Sequence, residues 1–346
     1  MKKSSLALNA LQLLSGLAVG AVAYALVPRP VRRNQVVVIT GGSRGLGLAL
    51  AERYGRAGAR LVLAARNQEE LANARRSLIE RGAISSPDHV LLIPADLTDA
   101  NQAANLIDHA IAHFGRIDIL INNAGVIEVG PVENQPLAAY HRAMAINFFG
   151  ALNTTHAALP HFLARPRELG DAAIVNIASI GGKFAVPHLL PYVASKFALV
   201  GFSQGLHAEL RHKRVRVTTV CPGLMRTGGE VHAKYHGAIK KEEAWFKLAA
   251  NTPGLSVSAT YAASRIFHAV NAGRAEITIS PQAWLAARFT GLAPETVQHI
   301  ASSVNQYLLP DPTTSDQLPL NFALKITAQG SIFENDLQPQ PNSQLG

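Results

Sequence analysis

The chain has 346 residues, 48% of them hydrophobic and 16% charged, which is enough for one large core or two modest domains. Of its formal net charge of +9, five units come from Lys2, Lys3, Arg29, Arg32 and Arg33, ahead of any acidic residue; the remaining +4 is too diffuse for a nucleic-acid surface. The single cysteine, Cys221, excludes an internal disulfide framework, suits a reducing compartment and reads as a small buried hydrophobe at a strand end.

Residues 6–27 carry no charge and are mostly Leu, Ala, Val and Gly. As a helix, 22 residues cross a hydrocarbon core of roughly 30 Å. Pro28 and Pro30 end the run, and the arginines beyond them favour keeping the C-terminal side cytoplasmic. This predicts a membrane anchor and basic linker over residues 1–34, with the catalytic part facing the cytoplasm. The rival is a cleaved signal peptide, because Lys2-Lys3, the apolar run and Ala23-Tyr24-Ala25 resemble its three regions. The run is long for a signal peptide, and the cofactor inferred below is cytosolic. Gly16 and Gly20 form a Gly-x-x-x-Gly pair that could pack two anchors together.

Gln35–Thr40 is a β-branched run of the kind found in buried parallel strands. It leads into Gly41, Gly42, Ser43, Arg44, Gly45, Leu46 and Gly47, and then into the helix-forming Leu48–Tyr54. A strand, a glycine-rich turn and a helix N-terminus suit a pyrophosphate, which takes backbone N–H donors and the helix dipole. The second strand, Ala59–Ala65, ends at Arg66, where an acidic residue would bind a ribose 2′-hydroxyl and an arginine accommodates a 2′-phosphate. Arg44 adds a second cation, so NADP(H) is expected over NAD(H).

Strand and helix continue to alternate. His89–Ile93 is a strand that leads to Asp96 and Leu97 on the adenine side. A helix covers Asp99–Phe114, and the strand Ile117–Ile121 ends in Asn122-Asn123-Ala124-Gly125. His109 and His113 are one helical turn apart, but with no third ligand they read as surface residues, and no metal is expected.

A long helix over about 136–163 carries Asn147 among apolar neighbours, where a buried amide needs partners. The strand Ala172–Ala178 then delivers Ser179 at its C-terminal end, where open parallel sheets place their active sites. Pro191–Phe202 reads as the first three turns of a buried helix with Tyr192 and Lys196 on one face. A tyrosine with an ordinary pKa of about 10 is a poor acid or base at neutral pH, and a nearby lysine cation favours its phenolate. The strand Val215–Val220 is followed by Cys221, Pro222, Gly223 and, four residues on, Thr227.

Together these features resemble a short-chain dehydrogenase/reductase over residues 35 to about 285. The matching parts are the Thr-Gly-x-x-x-Gly-x-Gly loop from Thr40 to Gly47, Asn-Asn-Ala-Gly, the helix asparagine Asn147, Ser179, the Tyr192-x-x-x-Lys196 pair and Pro222-Gly223. The loop differs from the Thr-Gly-x-x-Gly-x-x-Gly of the family's extended branch, so the shorter oxidoreductase branch is expected. The resemblance implies a Rossmann-type doubly wound α/β fold with a seven-stranded parallel sheet, preceded here by the hydrophobic helix. It implies that Tyr192 is the general acid or base and that Lys196 lowers its pKa and holds the nicotinamide ribose. Ser179 would hold the substrate oxygen, Asn147 a relay water, and Thr227 the carboxamide. It also implies dinucleotide contacts from Thr40, Gly41, Ser43, Arg44, Gly45, Leu46, Gly47, Arg66, Asp96, Leu97, Asn123, Ala124, Gly125, Pro222 and Gly223. A homodimer or homotetramer is common in the family.

Residues 228–256 form a variable cover with Tyr235, Trp245, Phe246 and Leu248, approached by Phe184, Val186, Leu189 and Leu190 from the other side. An apolar cover suggests a lipophilic substrate, such as a ketosphinganine-, steroid-, retinoid- or ketoacyl-like molecule, although these side chains could equally pack on each other. A helix over Ser258–Ala272 and the strand Ala275–Ser280 complete the sheet. Residues 286–346 are a C-terminal extension. Residues 281–307 could form two short amphipathic helices, and the Pro-, Gln- and Asn-rich composition beyond about 309 predicts disorder. The expected activity is NADP(H)-dependent carbonyl reduction or alcohol oxidation; the alternative is a non-catalytic NADP(H)-binding sensor on the same fold.

Overall fold

The computed structural model describes residues 34–252 and 254–312. The anchor expected over residues 6–27 and the tail beyond 312 lie outside the described residues. Among the described residues, no helix is long and apolar enough to cross a membrane.

Seven strands form one sheet: β1 Val36–Thr40, β2 Arg60–Ala65, β3 Val90–Pro94, β4 Ile119–Asn122, β5 Ala172–Ile177, β6 Val215–Pro222 and β7 Glu276–Ile279. All pairings are parallel and the spatial order is β7-β6-β5-β4-β1-β2-β3. The order reverses at β1 and β4, and this is the crevice where doubly wound sheets bind their ligands. Register places Thr40 beside Ala64 and Asn122 beside Asn176, so the strand ends that carry the expected site come to one edge.

The strands are apolar on both faces because helices cover both. Val37 and Ile39 join one core cluster, and Val36 and Val38 join the other, as a period of two requires. Helices α1 (Gly45–Gly55) and α2 (Gln68–Glu80) cover the first face. Helix α3 (Ala100–Phe114) covers the second. Asn67 caps α2 by accepting from the Glu69 and Glu70 amides, and Asp99 caps α3 by accepting from the Asn101 amide.

The long helix expected over 136–163 is three pieces: α4 (Leu137–Met144), a π-turn over Ala145–Phe149, and α5 (Gly150–Leu163). The extra residue of the π-turn falls around Asn147 and turns its amide toward the neighbouring loop, which an unbroken α-helix would not do. Helix α6 (Leu190–Leu210) follows and carries Tyr192 and Lys196. Helix α7 (Ile239–Asn251) lies in the cover. Helix α8 (Ala259–Asn271) returns to the first face, where Phe267 meets Tyr54 edge to face at 4.9 Å. Two further helices, α9 (Pro281–Leu292) and α10 (Pro294–Leu308), match the expected pair, and α9 spans the boundary expected near residue 285. Trp284, Leu285 and Phe289 on α9 are exposed.

Candidate functional site

The turn after β1 is locked to the end of β4 by side chains from both. Thr40 Oγ1 accepts from the Asn123 and Ala124 amides at 2.9 and 3.0 Å. Asn123 Nδ2 donates to the carbonyls of Thr40 and Gly41, both at 3.0 Å. The close approach dictates the glycines. Gly41 has φ +63°, and a Cβ there would stand 2.9 Å from the Ala124 Cα. A Cβ on Gly47 would overlap the Gly41 carbonyl oxygen, so only glycine lets α1 start this near the turn.

A cleft of about 900 Å³ opens over this cradle and runs along the strand ends. One end is lined by Arg44, Arg66, Asn67, Glu70, Asp96 and Leu97, and the other by Tyr192, Lys196, Met225 and Thr227. Gly41, Ser43, Gly45, Leu46, Asn123, Ala124 and Gly125 line the middle. Thr40, Gly47, Pro222 and Gly223 are not on the wall; they hold it from behind. Pro222 ends β6, and Gly223 lets Ser280 and Ala283 approach, since a Cβ would meet them at 2.8 and 3.0 Å. The geometry fits a dinucleotide: backbone donors and a helix N-terminus at the centre suit a pyrophosphate, and the adenine end holds two arginines. Of these, Arg44 pairs with Glu70 at 2.9 Å, and Ser43 donates to the same carboxylate at 3.0 Å. Arg66 is exposed at the tip of β2.

The Tyr192 end of the cleft is built from three elements. Lys196 is buried and donates from Nζ to the Ile177 carbonyl at 2.9 Å, which ties α6 to the end of β5. Burial lowers its pKa from 10.5 to about 8. Ser179 starts a short turn by accepting from the Gly181 amide at 3.0 Å, and its hydroxyl also hydrogen-bonds Tyr192. The expectation that Lys196 depresses the pKa of Tyr192 is corrected. Burial raises the phenol above its ordinary value, and only the hydrogen bond from Ser179 opposes this. Lys196 Nζ is 5.7 Å from the ring centroid and donates to the Ile177 carbonyl.

Asn147 bonds to Val126 and Ser195, next to this group. Its Oδ1 accepts from the Val126 amide at 2.7 Å, and its Nδ2 donates to the Val126 carbonyl and to Ser195 Oγ at 3.0 and 2.8 Å. Gly125 sits between it and the lysine: a Cβ there would stand 3.1 Å from Asn147 Oδ1 and 3.6 Å from Lys196 Nζ. Cys221 is fully buried, in line with its reading as a small buried hydrophobe, and burial pushes its thiol up to about 12.

Some supporting residues were not foreseen. Asn122 faces inward rather than toward the cleft, donating to Asn176 Oδ1 at 2.9 Å and Thr155 Oγ1 at 3.0 Å and accepting from Thr154 at 2.7 Å. Asn176 donates to Ser203 at 3.0 Å, which also receives Thr219 at 2.7 Å. This buried polar chain staples β4, β5, β6 and α6 beneath the site. Lone amides inside two apolar strands were the available signal. In the cover, Trp245 and Phe246 pack with Val129, Leu189, Val193 and Tyr192, as the apolar pattern suggested. The fully buried Glu242 and its partner His188 were missed. His109 and His113 are surface residues, and no cluster that could hold a metal occurs among the described residues.

A sequence model of the family described as short chain dehydrogenase matches residues 35–235. A dehydrogenase/reductase SDR family protein 7-like of Anopheles gambiae is 34% identical over 276 residues, covering 80% of this chain and 82% of that protein. A fatty acyl-CoA reductase of Acinetobacter baylyi is 35% identical over 198 residues, 56% of this chain and 64% of its own. Among solved structures, a short chain dehydrogenase/reductase from Burkholderia phymatum in complex with NAD superposes with a TM-score of 0.69. It is 26% identical and covers 83% of this chain and 99% of its own.

Proposed function

Because the chain belongs to the short-chain dehydrogenase/reductase family and is an oxidoreductase of that family, we propose that it transfers a hydride between NADP(H) and the carbonyl or secondary alcohol of a lipophilic substrate. The observation that carries this reading is that Tyr192 and Lys196 line one end of the cleft, with Ser179 hydrogen-bonded to Tyr192 and the apolar cluster of the cover packed against its ring. Bound NADP(H) would supply or accept the hydride. Gly41 to Gly47 would hold its pyrophosphate and Lys196 its nicotinamide ribose, with Thr227 close by.

A carbonyl oxygen that gains negative charge needs donors already in place. Ser179 and Tyr192 are those donors, and the raised pKa keeps the phenol protonated in the protein alone. Lys196 refills the phenol through a relay that passes Asn147. Specificity for the 2′-phosphate rests on Arg66: the tip of β2 carries Ala65, Arg66 and Asn67 and no acid that would repel the phosphate. Glu70 occupies Arg44 and leaves Arg66 as the cation for this task.

Two observations support a lipophilic substrate. Val186, Leu189, Trp245 and Phe246 pack in one apolar cluster with Tyr192, and one relative is named a fatty acyl-CoA reductase. The uncharged run over residues 6–27 supports attachment to a membrane, with the catalytic part on the cytoplasmic side.

The test is turnover by the full chain in detergent with NADPH or NADH against lipid and soluble carbonyls. Consumption of NADPH with a long-chain ketone or aldehyde is expected. NADPH binding with no consumption across the panel would favour the sensor.

A further inference from the structure

The cover is joined to the body by two buried carboxylates, one contributed from each side. Glu242 of α7, with its side chain 0% exposed, meets His188 of the body, whose Nδ1 lies 3.0 and 2.9 Å from the two carboxylate oxygens. Trp245, one turn along α7, donates from Nε1 to the same carboxylate at 2.6 Å. On the body side, Glu128 is likewise 0% exposed. It receives Arg142 Nε at 2.6 Å and lies 2.9 Å from Nε2 of His236, a cover residue. The strand pair Glu128–Val129 with Lys234–Tyr235 runs alongside this second contact.

His188 is the more demanding position. It sits at φ +62°, a left-handed conformation that a bulky residue rarely adopts, two residues before α6 begins. The surroundings hold it there: its carbonyl accepts from the Gly130 amide at 2.7 Å and from Gln135 Nε2 at 3.2 Å. A buried carboxylate is tolerated only with its partners in place, so α7 has one seat on the body rather than a range of them. That seat sets Trp245 and Phe246 against Leu189, Val193 and Tyr192.

We propose that His188 and Glu242 are positioning residues for substrate selection, fixing through Trp245 the apolar cluster packed against Tyr192, over which an elongated substrate would reach the phenol. This rests on the hydride-transfer reading given above. The expected effect is therefore on recognition of the substrate chain, and less on the chemical step or on NADP(H).

The test compares the full wild-type chain with Glu242→Ala, Glu242→Gln and His188→Gln on a series of straight-chain ketones of increasing length. Hydrogen exchange of the cover amides is measured in parallel. Glu242→Ala should raise KM for the longest ketones about tenfold with a much smaller change in kcat. Exchange over 234–251 should rise while the sheet stays protected. Glu242→Gln, which can still accept from Trp245 and His188, should recover most of both. An equal loss at every chain length, or cover exchange that does not change in Glu242→Ala, would overturn the proposal. If the wild type turns over no ketone, the hydride reading fails, and the exchange data alone decide whether the pair seats the cover.

Discussion

Lys196 Nζ donates to the carbonyl of Ile177 at 2.9 Å, and the two are among the best-buried parts of the site. The contact joins the catalytic helix to the last residue of β5, two positions before Ser179. Burial raises the Tyr192 phenol above its ordinary value, and burial governs Lys196 as well.

That burial has a consequence for stability. Below pH 8, Lys196 is charged in both folded and unfolded chains, and the cost of burying the ammonium is fully present. Between its folded value of about 8 and the ordinary 10.5, the folded chain releases the proton first, and the cost fades. The stability of the wild type relative to Lys196→Met should therefore rise with pH across this window. Urea unfolding of both proteins, from about pH 7 to about pH 10, reads the difference. A flat or falling difference would show that the lysine is better solvated than its surroundings suggest.

Arg66 is expected to carry the choice of cofactor. Loss of a charge-assisted contact to a phosphate is worth about 1.5–3 kcal/mol, so Arg66→Ala should weaken NADPH by about tenfold to a hundredfold. NADH, which lacks the 2′-phosphate, should change little. Paired binding titrations with both nucleotides measure this, and an equal loss for the two would remove Arg66 from the specificity argument.

At Gly47 the restriction is steric rather than electrostatic. A single methyl group would overlap the Gly41 carbonyl and stand 2.7 Å from Asn123 Nδ2. Gly47→Ala should destabilise the chain by about 1–3 kcal/mol and weaken dinucleotide binding beyond what the lost stability explains. Thermal unfolding with and without NADPH separates the two effects: the nucleotide should stabilise the variant less than the wild type. Equal stabilisation would mean that the turn relaxes without disturbing the cradle.

The sheet was legible in the sequence because each strand is an apolar run bounded by turn residues, and the alternation with helices leaves few topologies. The candidate site was legible in part, because Tyr192, Lys196, Ser179 and the glycine turn each have a local signature and the fold brings the first three close together. What escaped depended on contacts between distant segments. The π-turn at Asn147 has no marker in Ala145–Phe149. Asn122 and Asn176 stand as single amides in separate segments until the register sets them side by side. Glu242 sits in Lys240-Lys241-Glu242-Glu243, which reads as a solvated helix start, and only the fold brings His188 to it. The direction of the Tyr192 shift escaped for a similar reason: helical spacing predicts that two side chains share a face, but not how deeply the fold buries the phenol.

The central claim is hydride transfer at Tyr192, and tracing the hydride itself tests it most directly. The full chain in detergent is given NADPH deuterated at the transferring nicotinamide carbon together with a long-chain ketone, and the product alcohol is analysed by mass spectrometry. The account predicts deuterium on the carbinol carbon with the wild type. It predicts a fall of at least about a hundredfold in its rate of appearance with Tyr192→Phe, while that variant still binds NADPH. Unlabelled product, or a Tyr192→Phe protein that transfers deuterium at the wild-type rate, would contradict it.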